Sequence, residues 1–345
     1  MNNQIKFQID NCTFAKTILM LTIIAYHSCV FWTGNWHVSG LGENDTNFIL
    51  CNIANWLNSF HVYAFTLISG YLFYYLKVET RKYTNYFAFV RKKVNRLIIP
   101  YLFVGGVWVA PIAVIVDDLS ITQLVFKYIL CVNPSQLWFL WMLFDVFLLI
   151  WPICALLQNS KIAISVSIIS WGIGFIGARE LPNIFCVWTA FNYIPFFILG
   201  LKLKEKDGFG IDKIPVYIWI ILDIGLFVIL KHVSINHYFI DKLIKIALTY
   251  TLHVVGAIMA FSVLQKLATM VDWKNSKCFD FLSKCSMTVY LLHQQIIYFV
   301  IIILNGWVHP YIIAITNFVI SLSLSLILSS ILMKFKMTRL LIGER

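Results

Sequence analysis

Runs of about 20 predominantly apolar residues, each able to cross a ~30 Å hydrocarbon core as a helix, recur along the whole 345-residue chain. Inside a bilayer no water satisfies backbone N–H and C=O groups, so such runs must form helices or close into a barrel. A barrel would show short segments of alternating hydrophobicity, and none are visible. The pattern predicts an all-α polytopic membrane protein, a single bundle of about ten transmembrane helices. The expected spans are residues 12–33, 49–76, 97–116, 136–158, 162–178, 184–201, 214–230, 243–265, 285–304 and 310–333. Only 12% of residues are charged, about half the ~25% of a soluble domain. The loops between spans are short and no low-complexity linker separates them. Residues 1–345 therefore read as one transmembrane domain.

The net charge of +11 would suit a nucleic-acid binder, but its placement argues against one. With the ten spans drawn, 21 of the 27 Lys and Arg residues fall on one side. The other side holds Lys127, Arg179, Lys231 and Lys242, while Lys16 and Lys245 lie within spans. The positive-inside rule then puts both termini in the cytoplasm and turns the loops near residues 40, 120, 180, 236 and 307 outward. The basic excess reads as a topology signal and a contact for anionic membrane lipids, and no nucleic-acid partner is implied. The eight cysteines form no CxxC pair and no His/Cys cluster of zinc spacing, so no metal is expected. The first span lacks a signal-peptide cleavage pattern and carries polar residues, so it is expected to be retained.

Ionisable groups inside spans are costly and mark bundle interiors or aqueous cavities. They are Lys16, His27, His61, Asp145, Asp223, His253 and His293. Each also has a plainer reading as a helix–helix hydrogen bond. Lys16 and His27 are eleven residues apart, three helical turns, so they share one face about 16 Å apart along the axis. Lys16 lies near the expected cytoplasmic end and His27 in the outer half. Imidazole can take up a hydroxyl proton near neutral pH, the usual demand on a general base. A second group runs from Ser59-Phe60-His61 to Ser69-Gly70, where Ser and Gly read most simply as close helix packing. A third is Arg91-Lys92-Lys93-Val94-Asn95-Arg96, leading to Pro100 in the first turn of the third span. That run is a headgroup anchor or a cytoplasmic site for a polyanion such as a nucleotide phosphate.

Six segments, in order, resemble the membrane-bound acyltransferase family 3, which includes O-acetyltransferases of bacterial surface polysaccharides. They are Phe14-Ala15-Lys16 through Tyr26-His27-Ser28; Ser59-Phe60-His61 through Ser69-Gly70-Tyr71; and Arg91 through Pro100-Tyr101. The others are Leu137-Trp138-Phe139-Leu140, Pro195 through Leu199-Gly200, and Ser283 through Tyr290-Leu291-Leu292-His293-Gln294. The chain departs from the family pattern at Lys16, where many members carry Arg, and at Val62-Tyr63, which replaces Met-Pro. The Lys version looks like the branch containing fucose O-acetylases.

The resemblance implies a multi-pass enzyme of the bacterial inner membrane. It would move acetyl from cytoplasmic acetyl-CoA to a sugar hydroxyl of a surface or exported polysaccharide, such as O-antigen or capsule, or of its lipid-linked precursor. It casts His27 as the general base or as the first acceptor of the acyl group. Lys16, Lys93 and Arg96 become contacts for coenzyme A phosphates. His61 would act beside His27 as a second catalytic candidate, and Trp138, His293, Tyr290 and Asp145 would shape the acceptor cavity. The rival class is a glycan exporter. Transporters often carry two related halves, and no internal repeat is found in this chain.

Overall fold

The computed structural model describes residues 3–34, 36, 46–117, 119–233 and 239–344. Ten long helices cover the ten expected spans. They are α1 (Asn3–Val30), α2 (Phe48–Tyr74), α3 (Tyr86–Val116), α4 (Trp138–Ile153) and α5 (Ser160–Glu180). They continue with α6 (Val187–Glu205), α7 (Val216–His232), α8 (Phe239–Met270), α9 (Lys277–Leu304) and α10 (Pro310–Leu332). A short α11 (Lys336–Leu341) follows. Among the described residues the only β pairing is an isolated bridge between Thr33 and Thr46. The loops around residues 40 and 236 lie outside the described residues.

Eight of the ten helices are by themselves long and apolar enough to cross a membrane. The other two are α2 and α7. Helix α7 has 17 residues, about 26 Å of helix. Helix α2 is long enough at 27 residues, but Asn52, Asn55, Asn58, Ser59, His61 and Ser69 dilute its hydropathy. Those polar groups are tolerable because α2 is enclosed by protein, packing on α1, α6 and α8.

The tightest approach in the bundle is between α2 and α6. A Cβ placed on Gly70 would lie 2.0 Å from the Phe197 carbonyl oxygen, and one placed on Gly200 would lie 1.8 Å from that of Leu67. Each glycine thus presses on the other helix's backbone, the close packing expected of Ser69-Gly70. Helix α1 lies against α2 and α9, while α5, α7 and α10 pack outside on α6, α8 and α9. Their outward residues, among them Ile168, Ile221 and Ile315, are exposed, as a lipid-facing surface requires. Between α2, α3, α4 and α6 the rings of Phe73, Phe89, Phe147 and Phe197 pack edge to face and tilted, 5.3–5.9 Å apart.

Helix α3 departs from expectation at its start. It begins at Tyr86, capped by Asn85, whose side chain accepts from the Ala88 N–H at 2.9 Å. Pro100 is therefore well inside the helical run, where its missing N–H should break the ladder. The run absorbs this by widening into a π turn over Val94–Ile98, with the Ile99 N–H bonded to the Val94 carbonyl. Arg96 sits on this widened turn. The C-terminal turn packs behind it, because a Cβ on Gly343 would lie 2.8 Å from the Arg96 carbonyl oxygen.

From the end of α6 to the end of α9 the chain makes three passes, so residues 207 and 307 should face opposite compartments. Both are open, Asp207 with 94% of its side chain accessible and Trp307 at 88%. Single cysteines there, with the exposed Cys278 replaced, should react oppositely with a membrane-impermeant maleimide in intact cells. Position 307 should label and position 207 should not; the same answer at both would overturn the ten-span arrangement.

Candidate active site

Helix α1 carries a stripe of residues three or four apart: Thr13, Lys16, Met20, Ile23 and His27. It runs along two cavities set end to end between α1, α2, α4 and α9. The inner one, of about 370 Å³, is lined by Lys16, Lys82, Lys92, Lys93 and Arg96 together with Thr13, Ser69, Ser283 and Ser286. No carboxylate is among its described lining residues. The cations lie instead on aromatic faces: Lys16 Nζ is 5.3 Å from the Phe65 ring centre and Lys93 Nζ is 3.4 Å from that of Phe147. Elsewhere buried lysines are paired, Lys202 with Glu205 at 2.6 Å and Lys204 with Glu79 at 3.0 Å. A concentration of unpaired positive charge in an enclosed space is built for an anion that arrives from outside the chain.

The outer cavity, of about 330 Å³, is lined by His27, His61, Tyr26, Trp36, Trp138 and Tyr298, with the amides of Asn58, Asn133, Gln136 and Gln294. Flat aromatic faces among amides suit a polyhydroxylated ligand. The two cavities have only Ile23, Phe65, Phe139 and Tyr290 in common, one residue from each of the four helices.

The hydrogen bonds around His27 fix its tautomer. His293 is fully buried behind it, and its Nδ1 faces the carbonyl oxygens of Tyr290 at 2.7 Å and Val289 at 3.2 Å. A carbonyl only accepts, so Nδ1 of His293 carries the proton and, in the neutral ring, Nε2 is an acceptor. His27 Nδ1 lies 2.7 Å from that Nε2 and must donate to it. The proton of neutral His27 is thereby held on Nδ1, leaving Nε2 with a free lone pair. His61 is set the same way, its Nδ1 donating to the Leu57 carbonyl at 2.6 Å. The Tyr26 ring lies between the two, 4.9 Å from His27 and 5.0 Å from His61. The outer cavity thus holds two imidazoles whose Nε2 atoms are acceptors, a set that can receive protons from hydroxyl groups.

A belt of amides holds α4 against α9. Gln136 and Gln295 exchange hydrogen bonds at 2.7 and 3.2 Å, and Gln136 also donates to the Leu291 carbonyl at 3.1 Å. Gln294 donates to Ser135 Oγ and to the Tyr298 hydroxyl, each at 3.0 Å, and the Tyr290 hydroxyl donates to the Gln136 carbonyl. This belt places Trp138 at the cavity wall.

The fold brings Lys16, Lys93 and Arg96 together in the inner cavity and His27, His61 and Trp138 in the outer one, with Tyr290 at the junction. Two expected cavity residues stand elsewhere. His293 lines neither cavity and supports His27 from behind. Asp145 also lines neither, and its buried Oδ2 has no hydrogen-bond partner. Asp223 and His253 are structural: Asp223 accepts from Trp56 Nε1 at 2.8 Å, and His253 Nδ1 donates to the Ser59 carbonyl at 2.8 Å. Sequence reasoning passed over Trp36, Asn58, Lys127, Gln136 and three of the residues common to both cavities, Ile23, Phe65 and Phe139. A Gln-Gln pair inside an apolar span was the one available signal, since amides in lipid need partners. Among the described residues no group of three or more His, Cys, Asp or Glu is placed to hold a metal ion.

Residues 9–334 match the family model described as an acyltransferase domain, that of acyltransferase family 3, and the chain belongs to this family. No curated protein and no solved structure matches the chain. The protein is a membrane acyltransferase.

Removing the acceptor behind His27 should release its tautomer. His293→Ala should lower acyl transfer about tenfold, equivalent to one hydrogen bond of ~1.4 kcal/mol, at normal abundance in the membrane. His293→Gln retains an oxygen able to accept from His27 Nδ1 and should recover part of the loss. Equal activity of the two variants and the parent would show that His293 only fills space.

Proposed function

We propose that this acyltransferase takes acetyl from acetyl-CoA in the inner cavity and delivers it to a sugar hydroxyl in the outer one. The acceptor would be a surface or exported polysaccharide or its lipid-linked precursor. The basic loops support an orientation with both termini and the inner cavity on the cytoplasmic side of a bacterial inner membrane. The observation that carries the reading is the α1 stripe, which joins a cavity whose described lining holds cations and no carboxylate to a cavity holding an oriented neutral imidazole. Lys16 and His27 are about 16 Å apart along the axis. The pantetheine arm, from pyrophosphate to sulfur, is about as long as four or five extended residues, roughly 15 Å. Phosphates held by Lys16, Lys93 and Arg96 would put the thioester beside His27.

In this scheme His27 Nε2 takes the proton of the acceptor hydroxyl as its oxygen attacks the thioester carbonyl. His27 becomes imidazolium, and its Nδ1–H bond to His293 strengthens as the charge develops. The tetrahedral intermediate collapses with loss of coenzyme A thiolate, which takes the proton from His27 Nε2. One C–O bond forms, one C–S bond breaks, and the imidazole is restored. His61, with its own free Nε2, can hold a neighbouring sugar hydroxyl, and the faces of Trp36 and Trp138 can stack on the ring.

His27→Ala should reduce acetylation by about 10²–10⁴-fold, the usual contribution of a general base, without loss of protein from the membrane. His27→Gln keeps a hydrogen-bonding side chain but no base and should fail as badly. The readout is mass spectrometry of cell-surface glycans in a deletion strain carrying each variant, following the mass of one acetyl group. An active His27→Gln protein at normal abundance would move the role to His61.

Donor binding has a separate signature. Lys16→Ala and Arg96→Ala each lose charge-assisted contacts worth about 1.5–3 kcal/mol, so KM for acetyl-CoA should rise roughly 10–100-fold. Acceptor KM should move much less. Unchanged donor kinetics in both variants would reduce these cations to topology anchors.

A further inference from the structure

The junction between the cavities is narrow and apolar. Phe65 and Phe139 meet edge to face with centres 5.2 Å apart at 82°, and Phe139 meets Tyr290 at 6.2 Å and 72°. Ile23 of α1 closes the ring on the fourth side, and Ile23, Phe139 and Tyr290 are all buried. The Tyr290 wall is fixed, since its hydroxyl donates to the Gln136 carbonyl and Gln136 is itself clamped to Gln295 and Leu291. Polar groups begin on either side. Lys16 Nζ sits against Phe65 below, and His27 lies one turn beyond Ile23, about 6 Å along α1.

We propose that this four-residue collar selects the acyl group, passing a narrow uncharged one such as acetyl and refusing branched and anionic ones. The proposal rests on the reading above that an acyl-CoA enters from the inner cavity. The acyl group is then the leading end of the arm and must cross the collar before it can meet His27. The arm's branched gem-dimethyl carbon lies at the pyrophosphate end, in the inner cavity, and the stretch that reaches the collar, from β-alanine to the sulfur, is unbranched, so a collar that admits it needs only the width of an extended chain. A branched acyl group puts a second methyl beside the first, against rings packed at interior density, and must displace one of them. An anionic acyl group must shed its hydration among four side chains that offer it no hydrogen bond at that level. The inner-cavity cations would hold its carboxylate on the wrong side. Phe139, which touches both other rings of the collar, is the residue that sets the width.

The test measures thiol release from acetyl-, isobutyryl- and succinyl-CoA by membranes of cells that make the full-length chain, against membranes of a deletion strain. Those membranes contain the cell's own acceptor. The parent protein should favour acetyl-CoA over either of the others by at least about tenfold, the discrimination a pocket achieves against one extra methyl. Phe139→Ala should raise the isobutyryl-to-acetyl ratio about tenfold, and Ile23→Ala, on the opposite wall, should raise it in the same direction. The second variant and the parent's own donor preference decide the matter if Phe139→Ala does not accumulate. Equal rates for the three donors in the parent, or a ratio unmoved in the variants that accumulate, would overturn the collar. Failure of all three donors to release thiol above the deletion background would instead remove the acyl-CoA reading, and the collar proposal with it.

Discussion

The contact on which the bundle depends is backbone against backbone, where Gly70 of α2 meets Phe197 and Gly200 of α6 meets Leu67. In lipid there is no hydrophobic drive to bring two helices together, so close packing of small residues supplies the attraction. Drawing α2 onto α6 fixes one wall. It sets the rotation at which His61 and Phe65 of α2 turn toward the centre, and Phe197 of α6 joins the aromatic core under α4. Helices α1, α4 and α9 complete the other three walls. The space left where these four surfaces do not meet is the pair of cavities.

The two cavities contrast in charge. The inner one is crowded with cations, and the desolvation of Lys16 and Lys93 is offset by aromatic faces. In the outer one Lys127 is the single cation among the described lining residues, and the hydrogen bonds are directional: His27 donates to His293, His293 donates to the Tyr290 carbonyl, and a belt of amides joins the start of α4 to α9. Directional hydrogen bonds are what fix a tautomer, and fixed tautomers make an imidazole a base from the start rather than after rearrangement. The π turn at Arg96 belongs to the same economy of position. It lets α3 pass through Pro100 while its basic run still reaches the inner cavity.

What could be read in the sequence was whatever depends on helical repeat or on composition. The spans follow from apolar run length, and the Lys16–His27 face follows from eleven residues on a 3.6-residue turn. The clustering of Lys93 and Arg96 with Lys16 was reachable because all lie at one end of their spans. Other features depend on contacts between distant segments. The partner of His27 is 266 residues away, so His293 looked like one more polar residue in a span rather than the hydrogen-bond acceptor behind His27. Asp145 shows the reverse error. A carboxylate in an apolar helix suggests a cavity, but which face of α4 meets the cavity is decided by packing on α3 and α6. The π turn was hidden because a proline near a run of basic residues also reads as a helix start.

The collar has an electrical consequence. On the proposed reading, with the inner cavity open to the cytoplasm and the outer one to the far side, the two compartments come within one layer of side chains of each other. Nearly the whole transmembrane potential would then drop across Ile23, Phe65, Phe139 and Tyr290, the residues the two cavities share, rather than across ~30 Å of lipid. Moving one elementary charge through that drop involves about 2.3 kcal/mol per 100 mV, in a direction set by its sign. The neutral acetyl group of the proposed reaction would cross without electrical work. Its transfer would therefore run at the same rate in an energised cell and in a depolarised one, uncoupled from the voltage under which neighbouring pumps and carriers operate.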